Sequence, residues 1–213
     1  MDITWLGHAC VRLRTRDAIV LADPTDRVSG FDMHRPTAEV VTISSTLPLH
    51  GHTKGVKGEF LLIEGPGEYE VRGVQLHGVP TGLRPANGES ARNVAYVITA
   101  ENLRVAHLGG IGVLPTAAQA EELGAIDVLI VPIGAGETLT PAEAVRAVRD
   151  LEPTIVIPIC YTPDDARDRT HPLSQFLAAL GLEAPAPEAR ITLQRRTLGE
   201  TRRVLLLEPR GAA

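Results

Sequence analysis

The chain has 213 residues, of which 44% are hydrophobic, so it is long enough to bury a substantial core. Its net charge of −5 and its pI of about 5.8 argue against a nucleic-acid-binding surface and against a basic membrane-binding face. Cys10 and Cys160 are its only cysteines, too few for a disulfide framework, and no apolar run reaches the length of a membrane span. We therefore expect a cytoplasmic protein without a nucleic-acid or membrane partner. Its oligomeric state, a homo-oligomer included, and any small-molecule ligand stay open.

The first half of the chain is predicted to be rich in β-strands. Short runs of β-branched and other apolar residues alternate with turns that contain glycine, proline or aspartate. The stretch 64–70, EGPGEYE, is predicted to be a turn, and the polar stretch 82–93 a surface loop. The predicted strands cover residues 3–6, 10–14, 18–22, 39–43, 59–63, 74–79, 94–98 and 103–107.

The second half of the chain alternates strands with helices. Its clearest helix covers 140–153, where Thr140 is the predicted N-cap, Pro141 lies in the first turn and Glu143 is in capping-box register. Further elements are helices at 115–124 and 172–180, doubly covered strands at 127–133 and 154–159, and the closing strands RITLQ and RVLLLE. No linker marks a boundary, so residues 1–213 are predicted to form one α/β domain in layers.

The stretch 41–52, VTISSTLPLHGH, carries the first hint of chemistry. It continues a predicted buried strand into a loop that ends in His50 and His52. Loops of this kind often hold metal ligands or catalytic groups. Leu47 and Leu49 are apolar, however, and Ser45 is a poor zinc ligand. The residues leave three interpretations open: a metal site, a former metal site, or a loop without chemistry.

A set of motifs in a fixed order resembles the metallo-β-lactamase superfamily. The motifs are WLGHAC, ADP, EGPGEYEVRGV, GVPT, VAHLGGIG, IDVLIVPIG and LEPTIVIPICY. The chain is similar to the branch of small bacterial metal-dependent hydrolases related to ascorbate-6-phosphate lactonase. The resemblance covers almost the whole chain. It implies a four-layer αββα sandwich whose active site lies on loops at one edge of the two central sheets.

The resemblance also implies which positions would hold metal ions. Enzymes of the superfamily bind one or two divalent metals through an H-x-H-x-D-H loop, a later histidine, a bridging aspartate and a final histidine. Here one histidine is kept, and a cysteine replaces the final one. The seven aligned positions are Ser45, Leu47, Leu49, His50, Leu83, Gly110 and Cys160. Asp23 matches an aspartate that supports the metal loop from beneath.

These replacements predict a metal-free, catalytically silent protein with a binding or assembly role. A catalytic zinc needs about three protein ligands, and it activates the water that attacks the substrate. The alternative is a hydrolase with a rebuilt site, using one zinc on His50, Cys160 and a third histidine, His8 or His52, or using Cys160 as a nucleophile with His50 as its base. The candidate catalytic residues are thus His50, Cys160 and His8, and a zinc cofactor is expected only in the alternative. At least two of the three leucines, Leu47, Leu49 and Leu83, are expected to be substantially buried around the place where the ligands would converge.

Overall fold

The computed structural model describes residues 1–84, 92–134, 136–162 and 170–210, and it contains two β-sheets. The first sheet has six strands, in which β1 to β3 are antiparallel and β3 to β5 are parallel. Their order across the sheet is β12-β1-β2-β3-β4-β5. The strands are β1 (Asp2–Gly7), β2 (Cys10–Arg14), β3 (Ile19–Ala22), β4 (Val40–Thr42), β5 (Leu61–Ile63) and β12 (Ile191–Thr192).

The second sheet has seven strands in the order β13-β11-β10-β9-β8-β7-β6. The pairs from β6 to β9 are antiparallel, and the pairs that join β9, β10, β11 and β13 are parallel. The strands are β6 (Gly67–Val71), β7 (Val74–Gly82), β8 (Arg92–Ala100), β9 (Leu103–His107), β10 (Val128–Pro132), β11 (Ile155–Ile159) and β13 (Arg203–Val204). The prediction of a turn over 64–70 is therefore wrong for its second half, where residues 67–71 form the edge strand β6. Most of the predicted loop 82–93 lies outside the described residues.

Three α-helices are described: α1 (Ala117–Leu123), α2 (Pro141–Leu151) and α3 (Pro172–Leu180). The predicted cap of α2 is confirmed, because the Thr140 hydroxyl accepts from Glu143 N–H while the Glu143 carboxylate accepts from Thr140 N–H. Helix α1 packs on β7, α2 packs on β10, and α3 packs on α2. The predicted α/β sandwich is confirmed, with these helices covering the seven-stranded sheet. None of the described helices is both long enough and apolar enough to cross a membrane.

The main hydrophobic core lies between the two sheets. It joins residues of the first sheet, such as Trp5 and Val11, to residues of the second, such as Tyr96 and Ile130, all fully buried. A second, smaller cluster includes Cys10, Leu21 and Val41 of the first sheet, together with residues from the segments that follow β3 and β4: Met33, Ala38 and Val56. Burial of this much apolar surface is the main stabilising term for the sandwich.

One edge of the sandwich collects the loops that carry the candidate residues. Strands β1, β3 and β4 run in the same direction, and so do β9, β10 and β11. The segments that leave their carboxyl ends therefore meet at one edge of each sheet. Those segments contain His8, Asp23, His50, Gly110 and Cys160.

Candidate functional site

The centre of the site is a hydrogen-bonded group formed by Asp23, Ser44 and His50, all of them buried. The Asp23 carboxylate accepts from Ser44 N–H at 2.6 Å, from the Ser44 hydroxyl at 2.6 Å and from His50 Nδ1 at 2.9 Å. Burial raises the pKa of Asp23, but the charge and the hydrogen bond of His50, the charge of His107 and the hydrogen bond of the Ser44 hydroxyl outweigh it and lower the pKa overall. Asp23 is therefore an ionised anchor that fixes the loop and the His50 ring.

The three residue types match a serine-hydrolase triad, but their geometry does not. In a triad the carboxylate bonds one imidazole nitrogen and the serine bonds the other. Here Ser44 Oγ lies 3.2 Å from His50 Nδ1, the same nitrogen that bonds Asp23. The Ser44 hydroxyl also donates to Asp23 and accepts from Gly110 N–H. Ser44 is therefore a structural residue, because its proton is already committed to the carboxylate.

The other side of the His50 ring lies against the backbone of Gly110. A β-carbon added at position 110 would be 2.9 Å from His50 Cε1 and 3.0 Å from His50 Nε2. Real β-carbons essentially never approach another atom that closely, so the ring fills the space that a side chain at 110 would enter. Of the seven aligned positions, His50 and Gly110 are thus brought into direct contact, as the alignment predicts for two ligands of one metal.

A buried asparagine that sequence reasoning missed completes this part of the site. Asn93 has no solvent exposure, and its Oδ1 accepts from Gly110 N–H at 3.0 Å. Its amide nitrogen donates to the carbonyl of Leu108 and to the hydroxyl of Thr81. Asn93 therefore ties the Gly110 turn to β7 and β8. It stands at the end of a polar loop in the sequence, where nothing distinguishes it from a surface residue.

His8 adjoins both His50 and Cys160. The rings of His8 and His50 are 5.1 Å apart in an edge-on arrangement, and Cys160 N–H donates to the His8 carbonyl at 3.2 Å. Trp5 Nε1 donates to the same carbonyl at 2.8 Å. His50 and Cys160 thus both adjoin His8, and the predicted closeness of the His50 imidazole to the Cys160 sulfur stays a prediction. A small cavity of about 210 Å³ is lined by His8, Cys160 and Tyr161 among others.

Three residues around His50 have a left-handed backbone. The φ angles are +50° at His8, +46° at Asp23 and +61° at Cys160. Such conformations cost of order 1–3 kcal/mol each in non-glycine residues, although histidine and aspartate tolerate them better than most. Backbone strain of this kind often accompanies a functional site. Its concentration here indicates that the surrounding hydrogen bonds hold these side chains in set positions.

Three titratable groups near His50, unlike Asp23, are shifted toward their neutral forms: His8, Cys160 and His107. Burial, helped by the nearby His50, lowers the pKa of His8 to about 4. Burial and the negative charge of Asp23 raise the pKa of the Cys160 thiol. His107 is fully buried, its Nε2 donates to the Ala9 carbonyl at 2.9 Å, and burial lowers its pKa. At neutral pH His8 is a neutral imidazole and Cys160 a thiol, which is a poor nucleophile.

The remaining aligned positions are spread over the loop and its surroundings. Ser45 is buried, pairs with Asn93 in a β-bridge and accepts from Leu47 N–H. Leu83 is buried at 5% exposure, whereas Leu47 and Leu49 are only half-buried. Leu83 is therefore buried as expected, whereas Leu47 and Leu49 keep part of their surface accessible to solvent.

Leu47 lines a groove instead of a closed core. The groove has a volume of about 700 Å³ and lies on the outer side of the loop, opposite the Glu64–Pro66 turn. Ser45 and Leu47 form part of one wall, Val94 is apolar, and Arg92 and Glu64 supply charge. Volumes of 300–1,000 Å³ are typical of small-molecule sites.

The residues present do not fit a tight metal centre. The described ranges contain no group of three or more His, Cys, Asp or Glu side chains placed to hold a metal ion. His50 Nδ1 is used by Asp23, which leaves Nε2 as its one free donor atom. His8 Nδ1 is buried and has no hydrogen-bond partner among the described residues, but together with Cys160 and His50 it does not form a recognisable ligand set. His52 packs its ring against Gly55.

Comparison with known proteins gives a consistent family. Residues 2–160 match the model of the beta-lactamase superfamily domain. A UPF0173 protein of Pyrococcus abyssi is 30% identical over 178 residues, covering 76% of this chain and 83% of the relative. A protein of Methanopyrus kandleri named UPF0173 metal-dependent hydrolase is 28% identical over 195 residues, covering 76% of this chain and 84% of the relative.

Solved structures agree with these sequence matches. A metallo-β-lactamase superfamily protein of Thermotoga maritima is 31% identical, with a TM-score of 0.76, and the match covers 97% of this chain and 98% of that one. A metallo hydrolase of the archaeon Ignicoccus hospitalis has a TM-score of 0.63 at 18% identity, which shows a shared fold.

Proposed function

Because this chain belongs to the beta-lactamase superfamily and has the metallo-β-lactamase fold, we propose that it is a metal-free, catalytically silent member with a binding or assembly role. The observation that supports this most directly is the contact between His50 and Gly110. The histidine ring occupies the space where a bridging carboxylate at position 110 would project. In this proposal the ring of the retained histidine takes up part of the space where a metal ion would be bound.

The donor chemistry supports the same proposal. Hydrolysis in this superfamily depends on water that a metal ion activates. Without three or more donors, a site binds zinc weakly, and the described residues supply no such group. Asp23 and Ser44 then serve as a rigid support for the loop. The left-handed backbone at His8, Asp23 and Cys160 is explained as the geometry of the ancestral site, kept because the hydrogen bonds around it still hold.

A binding role has room in the outer groove beside the loop. Ser45 and Leu47 line this groove of about 700 Å³, so two positions aligned with metal ligands contribute to a ligand-sized space. Apolar Leu47 and Val94 beside charged Glu64 and Arg92 suit a ligand that combines an apolar part with polar groups. Both cysteines are free, which fits a reducing compartment, and we propose the cytoplasm.

The alternative, a rebuilt hydrolase, rests on the closeness of His8 to His50 and to Cys160. A cysteine nucleophile requires a thiolate, and the pKa of Cys160 is raised by burial and by Asp23. Iodoacetamide labelling of Cys160 against pH tests this version directly. The experiment is done in a Cys10→Ser variant, so that all labelling comes from Cys160. Labelling that rises near pH 7 and is lost in His50→Ala would favour the alternative over the silent protein.

The main test is metal content after exposure to zinc. The protein is dialysed against micromolar zinc, separated from free metal and measured by mass spectrometry, with His50→Ala as the matched variant. We expect far less than one zinc per chain in both proteins. Near-stoichiometric zinc that disappears in His50→Ala and in Cys160→Ser would contradict the proposal.

Turnover provides the second test. Lactone, β-lactam and phosphodiester substrates are assayed with and without added zinc or manganese. We expect wild type and His50→Ala to show the same background rate, because no activated water is present. A metal-dependent rate that is lost in His50→Ala would count against a silent protein.

A further inference from the structure

Another cavity lies on the side of the six-stranded sheet that carries the smaller apolar cluster, and Phe31 lines both this cavity and the small cavity beside Cys160. The larger of the two has a volume of about 460 Å³ and lies between the segment after β3 and the turn at residues 52–55. Its floor is formed by buried residues: Thr25, Phe31, Met33 and Gly55. A β-carbon at Gly55 would lie 2.3 Å from Met33 Cε and 2.6 Å from His52 Cδ2, so the glycine lets both side chains pack against its backbone. The cavity is thus built from packed side chains, and only its rim is exposed.

The rim of the cavity is positively charged. Arg27, Arg35 and Lys54 line it, against the two carboxylates Asp26 and Asp32. This is a local excess of cations on a chain whose net charge is −5. Lys54 is also one of only two lysines in the sequence, the other being Lys57.

The two carboxylates are already engaged by other groups. Asp26 accepts from Val28 N–H, and Asp32 accepts from His34 N–H and from the Arg27 guanidinium. Within the described part of the chain, no carboxylate pairs with Arg35 or Lys54. Two cations at the rim are therefore free to meet a negatively charged ligand.

The floor carries an unpaired polar atom. The Thr25 hydroxyl is buried, Thr25 is only 1% exposed, and no hydrogen-bond partner is found for it in the described structure. A buried hydroxyl without a partner costs free energy. Because Thr25 lines the cationic cavity, a ligand oxygen bound there would supply the missing hydrogen-bond partner of this hydroxyl. Phe31 and Met33 beside it offer apolar contact.

From these observations we propose that this cavity binds a small organic anion, with its apolar part on Phe31 and Met33 and its oxyanion between Arg35 and Lys54. The shared chemistry is that of a phosphate monoester or a carboxylate. None of the seven aligned metal positions lines this cavity, although His52 does and Phe31 also borders the cavity beside His8 and Cys160.

The test uses phenyl phosphate, which joins an aromatic ring to a phosphate dianion. The chain contains only two methionines, Met1 and Met33, so ¹³C-methyl labelling gives two signals. Met33 lines the cavity, whereas the Met1 amino group pairs with Glu101 in another part of the fold. We expect saturable shifts of the Met33 methyl signal on titration, with the Met1 signal unchanged. Benzoate in a parallel titration separates a carboxylate from a phosphate preference.

Charge variants complete the test. Lys54→Met and Arg35→Gln are each expected to weaken phenyl phosphate binding about three- to fivefold, as for an exposed charge contact, and added salt should weaken it further. Lys57→Met is the matched control and should leave the affinity unchanged, because Lys57 does not line the cavity. The proposal is overturned if neither ligand shifts Met33 saturably at millimolar concentrations. It is also overturned if Lys57→Met weakens binding as much as Lys54→Met.

Discussion

The contact between His50 and Gly110 predicts a specific stability effect of adding one carbon atom. Gly110 has an ordinary backbone φ, so alanine is compatible with its backbone and, by limiting the unfolded chain, would stabilise the protein by about 0.4–1 kcal/mol. The new β-carbon, however, would lie 2.9 Å from His50 Cε1. The ring cannot move aside freely, because Asp23 holds Nδ1 at 2.9 Å and the residue is 1% exposed.

Overpacking of a tight interior typically costs about 1–3 kcal/mol. Subtracting the backbone gain leaves a net loss of roughly 0–2.6 kcal/mol for Gly110→Ala. For a chain of this length, each kcal/mol lowers the melting temperature by about 2–4 °C. Urea unfolding followed by circular dichroism, together with a thermal scan, measures both quantities.

Gly51→Ala is the matched control for this experiment. Gly51 lies in the same loop, its φ is also ordinary, and a β-carbon there would meet nothing closer than Ile43 Cδ1 at 3.7 Å. It should be neutral or slightly stabilising. In a His50→Ala background the cost of Gly110→Ala should vanish, which gives a coupling energy of about 1–3 kcal/mol. If Gly110→Ala is no more costly than Gly51→Ala, the ring does not fill the pocket and our account of the site is wrong.

Three further outcomes are expected from unfolding measurements. The native pKa of His8 is about 4, below its ordinary 6.5, so the unfolded chain binds the extra proton between these values and stability falls as the pH drops through that window. Asparagine tolerates the left-handed backbone, so His8→Asn is a suitable variant. Between pH 7 and pH 5 its free energy of unfolding should fall by about 1–2 kcal/mol less than that of wild type, and equal decreases would refute this. Asp23→Asn should cost about 2–4 kcal/mol at pH 7, since it weakens the acceptor for Ser44 and His50. Because the native pKa of Asp23 is lowered, that cost should shrink as the pH falls below about 4, and a cost independent of pH would contradict it. Leu83→Asp should destabilise by about 3 kcal/mol or more through a buried unpaired charge, whereas Leu47→Asp should change stability by less than about 1 kcal/mol; similar effects would show that burial does not distinguish them.

Much of the fold could be predicted from local sequence patterns. The cap of α2 is an example, because Thr140 and Glu143 are three residues apart and bond each other within one turn. The doubly covered strands β10 and β11 follow from unbroken apolar runs. Strand β6 was missed, because Gly65, Pro66 and Gly67 are strong turn signals, and its pairing with β7 depends on a partner strand.

The candidate site shows the same division more sharply. The sequence by itself determined which residue types stand at the aligned positions, and the side chain of a leucine or a glycine cannot bind zinc wherever the chain places it. Only the tertiary structure decided what these residues contact. The His50 ring contacts Gly110, 60 positions away, and Asn93 supports that turn although no local pattern marks it. The tertiary structure also decided the burial of Leu47 and Leu83, which are chemically identical. Leu47 is half-buried beside a groove, whereas Leu83 is buried. Burial and long-range contacts depend on how the sheets and loops pack against one another, which the order of residues near each position does not specify.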